Sequence, residues 1–94
     1  MPTFQWDEAK RRGNLAKHGI DLADAALVFD GRPKLTVRAK PGIEERYLSI
    51  AIVHGIHWTV VWTWRGHAIR LISFRRSRDE EKDAYYKRND RADR

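Results

Sequence analysis

Ile69-Arg70-Leu71-Ile72-Ser73-Phe74-Arg75-Arg76-Ser77-Arg78 decides how the rest of the chain reads. It opens as an apolar strand and closes on a cluster of three arginines. Ser77-x-x-Glu80 has the spacing of a capping box, in which the hydroxyl takes an orphan backbone N–H and the glutamate reaches back. The spacing therefore predicts a strand that runs straight into a helix start. Core residues, guanidinium groups and a helix N-terminus would all meet within this one stretch. A helix N-terminus favours anions, and arginine holds phosphate through paired hydrogen bonds. The plainer reading is a β-strand followed by a solvated, charged helix.

Downstream, the pattern predicts a final helix over about 78–88, with fraying of Arg91 to Arg94. Upstream, Arg46 to Val53 and Trp58 to Trp64 read as strands. His54-Gly55 and Arg65-Gly66 are the hairpin turns that link them to each other and to His67–Arg75. Lys34–Arg38 alternates as a further strand, and Pro41-Gly42 is a turn. Two-residue loops at both hairpins would put Tyr47, Trp62 and Ile69 in one cross-strand row and Ala51, Trp58 and Ser73 in another. An aromatic face would then carry Tyr47, Trp58, Trp62, Trp64 and Arg75, and an aliphatic face Leu48, Ile50, Ile52, Val61, Ile72 and Phe74. The aliphatic face suits the N-terminal helices.

Those helices have clear signals. Phe4-Gln5-Trp6 reads as a short edge strand, Asp7 as an N-cap, 8–18 as a helix, and Gly19 as the C′ residue that ends it. Asp21 is a second N-cap. Leu22, Ala25, Ala26 and Phe29 fall at i, i+3, i+4 and i+7, and Asp30-Gly31 closes the segment. Ninety-four residues with one continuous pattern imply a single domain, 1–94, of α+β class. An N-terminal helical hairpin would pack on an antiparallel sheet, with a C-terminal helix.

Nineteen Lys+Arg against thirteen Asp+Glu give a net charge of +6, which points to a polyanionic partner, most often nucleic acid. No apolar run is long enough to span a bilayer. Met1-Pro2-Thr3-Phe4 carries no basic-then-apolar leader pattern, and the chain has no cysteine, so a cytoplasmic protein is expected. His54-x-x-His57 falls short of the three or four ligands that zinc needs, and no metal or other cofactor is expected. Tyr47, Trp58, Trp62 and Trp64 offer a base-stacking platform; the plainer expectation packs them under the last helix, against Ala84 and Tyr85. Lys17 and His18 suit a helix C-terminus, and His18 also suits proton transfer near neutral pH. Glu45-Arg46 is most simply a local ion pair, and Glu45 also a possible base. Glu81 is placed to fork Arg75 or Arg76.

The ordered set of Phe4-Gln5-Trp6-Asp7-Glu8-Ala9-Lys10, Asn14-x-x-Lys17-His18-Gly19-Ile20, Ala25-Ala26-x-Val28-Phe29-Asp30, Glu45-Arg46-Tyr47, Arg65-Gly66 and Ile69–Arg76 with Glu81 and Tyr85 resembles the BrnT family of type II toxin–antitoxin systems. The likeness covers about residues 4 to 86. It departs from the family's usual pattern at Phe74, Ser77 and Trp64, and leaves the arginines intact. The resemblance implies a RelE-like fold and a metal-independent endoribonuclease that halts translation. It also implies a BrnA-type antitoxin, whose ribbon-helix-helix part contacts operator DNA, so that DNA is met only through the antitoxin.

Such an enzyme activates an RNA 2′-OH for in-line attack on the adjacent phosphate, giving a 2′,3′-cyclic phosphate and a 5′-OH. The reaction needs a base, an acid and cations on the phosphoryl oxygens. On this reading Arg75 clamps the phosphate with Arg76 or Arg70 assisting. His18, Lys17 or Glu45 moves protons, and Arg46, Tyr47, Trp58 and Arg78 hold RNA. The competing class is a non-catalytic basic module for nucleic acid or protein, separated from an enzyme by the absence of turnover.

Overall fold

The computed structural model describes residues 3–39, 42 and 44–92. The expected Pro41-Gly42 turn and the fraying of the last residues lie partly outside this set, at Pro41, Asp93 and Arg94. In chain order come β1 (Thr3–Gln5), α1 (Glu8–His18), a 3₁₀ helix (Leu22–Phe29), β2 (Leu35–Arg38), β3 (Tyr47–Val53), β4 (Ile56–Arg65), β5 (Ala68–Arg76) and α2 (Asp79–Ala92). The strands form one sheet in the order β1-β5-β4-β3-β2.

Local chemistry accounts for the element ends. Asp7 accepts from the Ala9 and Lys10 N–H groups, and Gly19 closes α1 in the left-handed region at φ 70°. Asp21 caps the 3₁₀ helix through the Ala23 N–H. That segment was expected to show an α-helical face. Its fully buried residues are instead Leu22, Ala25 and Val28, spaced by three, which is the period of a 3₁₀ turn.

The sheet is mixed rather than wholly antiparallel. β1 runs parallel to β5, pairing Phe4 with Ile69 and Gln5 with Arg70. Hairpin turns fix the direction of β3, β4 and β5. No such turn constrains β1, which reaches β5 only after the whole chain has wound back.

The first hairpin has the expected register, with Tyr47 opposite Trp62 and Ala51 opposite Trp58. His54 and Gly55 both take positive φ, as a type I′ turn requires. The second hairpin differs. Arg65 pairs with Ala68, so the turn is Gly66-His67. Further along, Trp62 faces Leu71 but Val61 faces Ser73, which leaves Ile72 as the extra residue of a β-bulge. The bulge reverses the faces beyond it. Phe74 joins Val60 and Trp58 on the aromatic face, while Arg75 passes to the opposite face beside Thr59.

The layers are also exchanged relative to expectation. The 3₁₀ helix covers the aromatic face, building a core from Leu22, Ala25, Val28, Val60, Trp62, Leu71 and Phe74. The aliphatic face holds α2 through a smaller cluster of Leu35, Ile50 and Tyr85. The rings therefore pack under the 3₁₀ helix and not under α2: Phe29 meets Trp62 edge-on at 5.5 Å, and Tyr47 stacks on Trp62 at 4.8 Å.

Candidate functional site

Beyond the end of β1, the edge of β5 is left without a strand partner, and α1 supplies a substitute. The Asn14 side-chain amide donates to the Phe74 carbonyl at 2.9 Å and accepts from the Phe74 N–H at 3.0 Å, as a neighbouring strand would. It also donates to the Ile20 carbonyl. Asn14 is the one buried residue of α1, so this contact fixes the helix on the sheet. An Arg11–Asp21 fork ties α1 to the start of the 3₁₀ helix, with Asp21 held down to about 2 mainly by that bond. One turn beyond Asn14, α1 ends on Lys17 and His18.

The far end of β5 is pinned from the other side. Arg75 donates two bonds to the Glu81 carboxylate, at 2.8 and 2.9 Å, and a third to the Arg76 carbonyl. Glu81 also accepts from the Thr59 hydroxyl and from the Arg78 N–H. Burial pushes the Glu81 carboxyl up, but the Arg75 fork and these donors outweigh it and hold it at about 2. The expected Ser77–Glu80 capping box is replaced. The Ser77 hydroxyl turns sideways to Thr59, and Glu81 takes the backbone N–H at the helix start. The N-terminus of α2 is thus already occupied by its own carboxylate.

Between these two anchored elements lies a cleft of about 660 Å³, lined by Lys17, His18, Ser73, Arg75, Arg76 and Arg78. Among the described residues no carboxylate pairs with Lys17, Arg76 or Arg78, so their charge is presented to the cleft. His18 is half-buried, and its pKa is lowered by that burial and by the charges of Lys17 and Arg75. At neutral pH it is an uncharged imidazole among cations. The Arg76 guanidinium lies 5.9 Å from the centre of the Trp58 ring, which extends the cleft onto an aromatic surface.

Of the residues singled out in the sequence, Lys17, His18, Arg75, Arg76 and Arg78 come together, with Trp58 adjoining. Glu45, Arg46 and Tyr47 lie at the other end of the sheet. The Glu45 carbonyl accepts from Thr63, five residues from Trp58 along β4, or roughly 17 Å. Glu45 there pairs with Arg38 and with the Tyr47 hydroxyl, and Arg46 pairs with Glu44. Arg70 sits opposite Gln5 and Thr63, away from the cleft. Trp64 is half exposed at that same far end. His57, of the His54-x-x-His57 pair, packs under α2 against Tyr85 and Tyr86. Among the described residues, no three His, Asp or Glu side chains gather as metal ligands would. Asn14 and Ser73 escaped the reading of individual residues. Asn14 stands in the Asn14-x-x-Lys17-His18 pattern, where its spacing from the helix end was the available signal.

A small α+β sheet with a cation-lined cleft and one neutral imidazole has the equipment of a protein that binds a phosphodiester and moves a proton beside it. The chain belongs to the family described as the ribonuclease toxin, BrnT, of type II toxin–antitoxin systems, whose model matches residues 6–81. That membership brings an RNA substrate and an antitoxin partner. No curated protein matches the chain. Among the described residues, no helix is long and apolar enough to cross a membrane.

Proposed function

We propose that this protein is a RelE-like, metal-independent endoribonuclease that cleaves RNA in the cytoplasm, inhibits translation and is neutralised by a BrnA-type antitoxin. The single 1–94 domain carries the whole activity, and operator DNA is met only through the antitoxin. The observation that carries this reading is the convergence of His18 with Lys17, Arg76 and Arg78 on one cleft.

In the proposed mechanism the scissile phosphate lies among Arg76, Arg78 and Lys17, which hold its oxygens as negative charge builds in the transition state. Neutral His18 accepts the proton of the attacking 2′-OH, and Lys17 is the nearest group in sequence able to protonate the departing 5′-oxygen. Arg75 acts differently from the clamp expected of it. Its guanidinium is engaged by Glu81, so it shapes the cleft wall and adds to the field that keeps His18 unprotonated. Arg76 takes the clamping role. Glu45 and Arg70 have no part in this mechanism, and Arg46 and Tyr47 are left as contacts for a longer RNA.

The test is incubation of the purified protein with a defined single-stranded RNA in excess chelator. Products ending in 2′,3′-cyclic phosphate and 5′-OH are expected. Intact RNA, with the protein folded and bound to it, would instead support a non-catalytic binding module.

A further inference from the structure

A second cavity, of about 330 Å³, adjoins the cleft. Its walls include Ile20, Asp24 and Leu27 from the helical segment, Val53 and Trp58 from the hairpin, and Phe74 from β5. The linings of the two cavities meet where Arg76 of the cleft lies over Trp58 of the pocket. Ile20 follows His18 by two residues, and Phe74 shares its face of the sheet with Arg76 of the cleft. The Trp58 ring touches Phe74 at 5.1 Å and carries Arg76 over it. At this size the cavity sits at the small end of small-molecule pockets, about 300–1,000 Å³. Asp24, exposed at the rim, is its one carboxylate, and His54 is the other ionisable side chain in its lining. Among the described residues nothing donates a hydrogen bond to the Asp24 side chain.

We propose that this pocket takes a guanine base of the RNA whose phosphate lies in the neighbouring cleft, which rests on the cleft reading above. A planar base matches the apolar walls and the Trp58 ring, since every base has a π-face to offer. Asp24 then selects among bases. An ionised carboxylate only accepts hydrogen bonds. Guanine alone presents two adjacent donors, N1–H and N2–H, on its Watson–Crick edge. Adenine sets one donor beside one acceptor there, cytosine one donor beside two acceptors, and uracil flanks its single donor with two acceptors. An aliphatic side chain of the antitoxin would fit the walls but would offer no donor to Asp24, which is exposed at the rim.

The experiment measures binding of inorganic phosphate, guanosine, guanosine 3′-monophosphate and cytidine 3′-monophosphate to the wild-type protein and to Asp24→Asn, with melting curves to confirm folding. The guanine nucleotide should bind about tenfold or more tighter than the cytosine one, at the low end of what a bidentate base contact supplies. Asp24→Asn should cancel that preference and leave phosphate affinity unchanged. Equal binding of both nucleotides with phosphate binding intact overturns the pocket alone. Failure of phosphate with Asp24-dependent binding of guanosine overturns the cleft reading and keeps the pocket; failure of both ligands overturns both. Unchanged nucleotide binding with a weakened antitoxin complex in Asp24→Asn assigns the groove to the antitoxin and overturns the proposal.

Discussion

Two opposing effects act on the His18 imidazole. The C-terminus of α1 favours the charged form by about 0.3–1 kcal/mol. Burial, Lys17 and Arg75 favour the neutral form, and they prevail. A general base works unprotonated, so cleavage should stay level around neutral pH and decline only below the ordinary imidazole range. A single-turnover rate–pH profile checks this. Arg75 shows how a partner changes the meaning of a residue. Both side chains of the Arg75–Glu81 pair are at least 86% covered, with 14% and 9% left exposed. Arg75→Ala leaves Glu81 buried without its fork and should cost about 3 kcal/mol in thermal or urea melts. A double variant, Arg75→Met with Glu81→Leu, should recover only part of that loss, because the Thr59 hydroxyl and the Arg78 N–H also lose their acceptor. Glu81 also sets an acid limit. Its carboxyl is lowered in the folded state to about 2 from 4.5, so its contribution is complete above 4.5 and is lost as pH falls from there toward 2. Melts taken from neutral pH downward should show the loss in that window, and Glu81→Gln should flatten it.

At the scale of elements, the docking of α1 on β5 decides where His18 stands. Asn14→Ala removes the amide that satisfies both backbone groups of Phe74, and leaving them unpaired should cost about 2–3 kcal/mol. Cleavage should fall as well, because α1 then loses its register against Arg76; paired melting and activity measurements on this variant check both effects. The sequence announced most element ends because their chemistry is local: Asp7, Gly19 and Asp21 cap where they stand, and His54-Gly55 turns where it stands. The bulge at Ile72 was not legible. Alternation along Ile69–Arg75 continues unbroken in sequence, and only the pairing with Val61 and Trp62 shows that one residue is extra. That single insertion sent Arg75 to the α2 face, where Glu81 captures it. Which helix covers which face was equally hidden, since both faces are apolar enough to be buried. The clustering of Lys17 and His18 with Arg76 was legible only through the family resemblance, because α1 and β5 are far apart in the chain.

For the whole molecule, a net charge of +6 drives association and the cleft organises it. With Lys17, Arg76 and Arg78 each meeting a phosphate, log affinity for single-stranded RNA should fall with log salt at a slope near about −2, from about −0.7 per contact. Titrations at several ionic strengths check the slope. Production in cells without the antitoxin should arrest growth, and co-production of the antitoxin should restore it. The most direct measurement compares single-turnover cleavage of one defined RNA by the wild-type protein and by His18→Asn, with melting temperatures taken alongside. His18→Asn should remain folded and cleave about 10²-fold or more slowly, the size of effect expected for a lost general base. Cleavage by well-folded His18→Asn at the wild-type rate would contradict the assignment of this cleft as the place where RNA is cut.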